Sequence, residues 1–205
     1  MSTGWTHFLS QYESEAQQKL DGYDASHFEG LTEPELTRAR AMVIARAEAG
    51  ETPEIDALPL LNTPAVLPVI AGLLDRVRAP TLTRLRACVA GWKITRAPAY
   101  QHEILAIASA GDDFVRSQAI IALCAMRLEP VALSEVEGML RTEGDRALAV
   151  QLAKAVLRSR SVPVDTPEEF QRALPLLRAI ANVNLHDRNE AIGRVDELIA
   201  AHRGA

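Results

Sequence analysis

His27, flanked by Asp24 and Glu29, is the closest approach in this chain to a base with carboxylates to orient it. Nucleophilic chemistry would also need a Ser, Cys or Thr beside that base. No GxSxG or comparable turn supplies one, and the stretch Gly22–Gly30 that carries His27 reads as an irregular solvated loop or a contact surface. Asp112-Asp113 offers adjacent carboxylates for acid–base work or a divalent ion. At the start of a helical segment, however, they are better read as a cap and a dipole partner. Cys88 and Cys124 lie in apolar segments without CxxC spacing or nearby histidines, and read as buried reduced thiols. The five histidines, His7, His27, His102, His186 and His202, form no HxxxH or HxH pair, and the 11 glycines are too dispersed for a phosphate loop. Glu13/Glu15, Glu33/Glu35 and Glu135/Glu137 are i,i+2 pairs, which point to different sides of a helix. The expectation is no catalytic residue, no metal site and no cofactor.

The elements that would carry these residues are helical. Hydrophobic residues make up 48% of the chain and aromatic ones only 4%, so its apolar content is mostly Ala, Leu, Val and Ile. Ala and Leu favour helix, and small side chains let helices pack closely. Charged residues at 24% match a folded protein and not a disordered one. No apolar run approaches the ~20 residues of a membrane span. Met1–Asp21 lacks the basic and apolar regions of a secretory signal, so a cytoplasmic protein is expected.

Gly and Pro divide the chain into segments with apolar residues at three- and four-residue spacing. Trp5, Phe8, Leu9 and Tyr12 mark a first helix reaching to about Leu20. Thr32, with Pro34 and Glu35, has the capping-box pattern for a second helix that stops at Gly50. Short helices follow around Ile55–Leu61 and Pro64–Arg76. Stretches opening at Ala79, Asp112 and Asp145 then align at a spacing of 33. Leu82, Val115 and Leu148 coincide, as do Ala87, Ile120 and Ala153, and Ala90, Leu123 and Val156. Each follows another apolar helix (Pro64–Arg76, Pro98–Ala110, Pro130–Arg141), so the unit is a helix pair, as in a solenoid. Two closing helices, Thr166–Asn182 and Asp187–Arg203, are expected with Thr166 and Asp187 as N-caps.

Asp112-Asp113-Phe114-Val115-Arg116, followed by Ala119 and Ala122-Leu123, resembles the second helix of a HEAT repeat. The resemblance covers roughly residues 60–160. It implies an all-α fold, a short α-solenoid of HEAT-like antiparallel helix pairs with an N-terminal helical extension. It also implies that Asp112 and Arg116 are structural, bonding between neighbouring repeats. The unit at Asp145 has Ala149 in place of the Arg, and the unit at Ala79 lacks the Asp and carries Thr83 at the Arg position. The organisation expected is an acidic helical segment over residues 1–62 packed on the solenoid, and HEAT-like repeats with C-terminal capping helices over 63–205. A resemblance of this kind speaks to fold and not to function.

Charge narrows the function. Residues 1–75 hold 4 Lys+Arg against 12 Asp+Glu, a net of −8, whereas residues 76–205 hold 18 against 15, a net of +3. An acidic surface attracts a basic partner and speeds its capture, although such charges also merely solvate helix faces. Nucleic acid is disfavoured, because phosphate contacts need a basic channel. The one basic-aromatic patch is modest: Arg76, Arg78, Arg84, Arg86 and Arg96 with Trp92. Small acidic helical-repeat proteins resemble bacterial immunity proteins, which neutralise toxins that are often basic nucleases. The expectation is therefore a non-enzymatic module that binds another protein. Its contact residues would be Asp21, Asp24, Glu29, Glu33 and Glu35, with Trp5 and Trp92 as aromatic anchors or, alternatively, as caps on the core. A generic adaptor or scaffold is the alternative, and a HEAT-like DNA glycosylase the third reading.

Overall fold

Local caps set the helix boundaries. The computed structural model describes residues 2–14 and 22–204, and among them are twelve α-helices, two short 3-10 helices and no strand. In chain order the α-helices are α1 (Thr3–Tyr12), α2 (Glu33–Ala49), α3 (Thr52–Ala57), α4 (Val66–Arg76), α5 (Leu82–Thr95), α6 (Pro98–Ala110), α7 (Asp113–Cys124), α8 (Pro130–Thr142), α9 (Arg146–Ser159), α10 (Pro167–Ile180), α11 (Leu185–Gly193) and α12 (Val195–Gly204). The chain is all-α and built from helix pairs: α4–α5, α6–α7 and α8–α9 carry the repeat seen in the sequence, each second helix opening at the aligned stretch.

Asp112 accepts the Val115 amide at 2.8 Å, and Asp145 accepts those of Ala147 and Leu148, so both aspartates cap their own helices. Thr166 caps α10 in a capping box with Glu169. Gly50 ends α2 at φ 94°, the left-handed conformation that costs glycine nothing. Two expectations need correction at the C-terminal end. Asp187 is not a cap: Asn184 accepts the His186 and Asp187 amides and starts the helix earlier. The expected single helix is also two, α11 and α12, divided at Arg194. The first helix ends at Tyr12, and its expected continuation to Leu20 lies outside the described residues.

The chain divides into two compact units, Met1–Tyr100 and Gln101–Ala205, where the sequence pattern placed a boundary after residue 62. The reason is packing. In the first unit α2 lies against α3 and α4, and α3 and α4 against α5. Trp5, Phe8, Val43, Ile55, Leu58, Ile70, Ala87 and Ala90 thus share one apolar core, which joins the N-terminal helices to α4 and α5. In the second unit α9 packs on α7, α8 and α10, while α11 packs on α8, α10 and α12. The aligned positions Ala87, Ile120 and Ala153 are all fully buried, which is the physical content of the 33-residue period. Cys88 and Cys124 are both buried. No helix among the described residues is long and apolar enough to cross a membrane.

Candidate partner-binding surface

The acidic turn of the first unit is built from the start of the chain. Ser2 caps α1 by accepting the Trp5 amide at 3.0 Å. Its own amide and hydroxyl donate to the Glu35 carboxylate at 2.9 and 2.7 Å. That carboxylate also accepts the Thr32 amide at 3.0 Å, closing the capping box of α2. One side chain therefore ties the first turn of α1 to the first turn of α2. Gly4 lets the two approach, because a Cβ there would meet the backbone of Glu29 and Gly30 at 2.6 to 2.7 Å. Gly30 completes the turn at φ +67°. Glu29 and Glu33 stand exposed on either side of it.

Asp24 caps the 3-10 helix Ala25–Phe28, accepting the Ser26 amide at 2.8 Å and the Ser26 hydroxyl at 2.5 Å. The Ser26 hydroxyl holds the Asp24 carboxyl below its ordinary range. The His27 ring accepts the Asp24 amide at 3.1 Å and stacks on His7 with ring centres 4.6 Å apart. This is not the geometry of a hydrolytic triad. The Ser26 hydroxyl donates to the Asp24 carboxylate and not to an imidazole base, and the His7 ring lies 3.5 Å from it. The cluster is a turn cap. Among the described residues no three His, Cys, Asp or Glu side chains are grouped to hold a metal ion.

The structure gathers Asp24, Glu29, Glu33 and Glu35 around α1 and leaves the other proposed contacts elsewhere. Asp21 lies outside the described residues. Trp5 is 4% exposed and packs on Phe8 with Arg38 over its ring, so it is a core residue and not a surface anchor. Trp92 is half-buried beneath Arg96 on α5, a helix that packs on α3 and α4. Glu35 is corrected in role: its oxygens are already committed to Ser2 and Thr32.

Those hydrogen bonds, chiefly from Ser2, lower the Glu35 pKa from an ordinary 4.5 to about 2. A depressed folded pKa means that the contribution to stability is complete above about pH 4.5 and is lost as pH falls towards 2. The difference in melting temperature between wild type and Glu35→Gln should therefore be largest near neutral pH and shrink across that window. A difference that stays constant with pH would contradict this role.

Cations sort differently. Arg40 donates to the Leu61 carbonyl at 3.0 Å, and Arg46 donates to the Tyr12 carbonyl at 2.6 Å while lying 3.7 Å over the Tyr12 ring. Arg46 also pairs with the fully buried Glu54 at 3.4 Å, and Tyr23 donates to the same carboxylate. Desolvation, followed by the charge of Glu54, pushes the Tyr23 hydroxyl well above its ordinary range.

Comparison with family models, curated proteins and solved structures gives no match.

The basic-aromatic patch fares no better as a surface. Arg76 donates to the Glu48 carbonyl at 2.6 Å, Arg84 to the Leu74 and Val77 carbonyls, and Arg86 pairs with Asp56 at 3.4 Å. These guanidiniums close helix ends and turns. In the second unit Arg116 does reach a neighbouring pair, but its partner is Glu143, whose other oxygen accepts the Asp145 amide at 2.8 Å. Sequence reasoning missed Ser2, Gly4 and Glu54. Only Ser2, a good N-cap residue ahead of an apolar stripe, carried a local signal.

Proposed function

We propose that this chain is a non-enzymatic protein-binding module whose acidic turn receives a basic protein, and that it serves as an immunity protein neutralising a basic toxin. The observation that carries the reading is the sorting of charge in the N-terminal stretch. Arg40 and Arg46 are half-buried and tied to backbone carbonyls, while Glu13, Glu29, Glu33 and Glu48 stay exposed, against the exposed Arg38 that lies over Trp5. A predominantly negative outward field steers a basic partner and raises its rate of encounter. The helix pairs at a 33-residue period support a HEAT-like architecture, one suited to presenting such a surface.

The test compares wild type with the double variant Glu29→Lys/Glu33→Lys. Both side chains are exposed, so the fold should be kept, at a cost of no more than about 1 kcal/mol for reversing Glu33 in the first turn of α2. Tagged wild type, used to capture partners from its native lysate, should retain one stoichiometric basic protein. The variant should associate with that protein about tenfold more slowly at low salt, the gap narrowing as salt screens the charges. Co-expression should abolish the partner's toxicity. Equal association rates at low salt would remove the acidic turn from the interface, and a harmless partner would remove the immunity role.

A further inference from the structure

The second unit carries a surface of opposite chemistry. Phe114 and Ile121, two turns apart on α7, are 61% and 47% exposed. Helices α7 and α9 pack together and sit one repeat apart, so Ser117 and Ile121 are equivalent to Val150 and Lys154 on α9. Beyond α9 the face continues into a cleft of about 390 Å³ between α9 and α10, with Val150, Phe170, Leu174 and Leu177 at its floor and Val183, 70% exposed, at its end. Arg146 and Arg178 stand on its two walls, and Lys154 lies 5.8 Å over the Phe170 ring. Among the described residues none of these three cations forms an ion pair, although Arg116, Arg158 and Arg160 of the same unit all do.

We infer that this α7–α9–α10 face binds an acidic amphipathic helix of a partner protein. Exposed apolar side chains at helical spacing call for an apolar stripe of the same spacing, since single scattered hydrophobes need no explanation but a continuous patch does. Uncompensated cations on both walls select carboxylates on the flanks of that stripe. A nucleic acid is the poorer occupant: three cations are few for a backbone, and phosphates set against Ile121, Val150 and Val183 would lose hydration with no polar group in return. This face is independent of the acidic turn, and either could hold if the other failed.

The probe is a synthetic amphipathic peptide of about four helical turns, with leucines at i, i+3, i+4 and i+7 spacing and glutamates elsewhere. Controls are its lysine-for-glutamate counterpart, a scrambled peptide of the same composition and a single-stranded oligonucleotide. Binding to the full chain is followed by fluorescence anisotropy, and the contact surface is mapped by amide chemical shifts. The acidic amphipathic peptide alone should bind, with shifts confined to α7, α9 and α10. Arg146→Glu/Arg178→Glu should weaken it about tenfold, and Phe114→Ser/Ile121→Ser comparably, with unchanged melting curves because all four side chains are exposed. The inference is overturned if the peptide fails to bind, if the scrambled peptide or the oligonucleotide binds the same face as tightly, or if the charge reversal leaves affinity unaltered.

Discussion

Replacing Arg188 by methionine should destabilise the protein by about 3–5 kcal/mol, the largest loss expected from any single substitution outside the apolar core. Arg188 lies on α11 and is 2% exposed, yet it makes no ion pair among the described residues; its guanidinium serves carbonyls. One nitrogen donates to the Leu140 and Glu143 carbonyls at 2.9 and 2.6 Å, and another to the Asn182 carbonyl at 2.6 Å. The first two belong to the end of α8, where the last carbonyls of a helix lack intrahelical partners. A methionine of similar length would fill the space and leave all three acceptors dry. Charge-assisted bonds of this kind contribute more than neutral ones, and an acceptor orphaned in the interior costs its full desolvation. Thermal denaturation followed by circular dichroism should show a drop on the order of 10 °C. Lysine should recover only part of it, because a single ammonium cannot span three carbonyls. A methionine variant within about 1 kcal/mol of wild type would mean that water satisfies those groups.

Arg188 also shows where sequence reading stops. Its helix, Leu185–Gly193, is mostly polar, and an arginine in such a segment is by default solvated. Nothing local distinguishes it from Arg194, which sits exposed and pairs with Glu190 and Glu197 along its own helix and the next. The difference lies in partners more than 40 positions away at the end of α8. By contrast, the helix pairs were legible, because Ala87/Ile120/Ala153 and Ala90/Leu123/Val156 are spaced by a helical period within each segment and by a fixed repeat between them. Periodicity encodes which face is buried without knowledge of what it is buried against. The caps fall between these cases. Asp112, Asp145 and Thr166 lie within three residues of the amides they accept, and are readable. Asp187 misled because Asn184, three residues earlier, offers the same chemistry and won the amides.

The acidic surface was half legible for a related reason. Composition counts carboxylates but not their destinations. Glu35 is spent on Ser2 and Thr32, Glu54 on Arg46 and Tyr23, Asp24 on its own turn, and Asp56 on Arg86. The carboxylates that stay exposed, Glu29 and Glu33 beside the turn before α2 among them, are fewer and more local than a net of −8 over residues 1–75 implies. Trp5 failed as an anchor because Gly4 permits α1 to lie directly on the turn, which turns the indole inward.

Glu54 sets the second large effect, and it bears on whether the acidic turn holds its shape. Glu54 has no exposed side-chain surface, while its partner Arg46 is 29% exposed and retains the Tyr12 carbonyl and ring. Removing the carboxylate by Glu54→Ala strands part of a guanidinium and the Tyr23 hydroxyl, and opens a cavity beside Ile55 and Leu58, at a cost of about 2–4 kcal/mol. The lower end reflects the water that still reaches Arg46. Glu54→Gln keeps the volume and an acceptor for Tyr23, and should cost less than half as much. A double-mutant cycle with Arg46→Met separates the charge pairing from the cavity: a coupling above about 1 kcal/mol assigns the loss to the pair, and near-additivity assigns it to packing. Because Tyr23 precedes Asp24 and packs on Phe8 and Phe28, loosening it should also increase amide exchange across residues 23–30 before global unfolding. Unchanged exchange there, in a variant that is nonetheless less stable, would show that the Ser2–Glu35 tie holds the turn without help from the buried carboxylate.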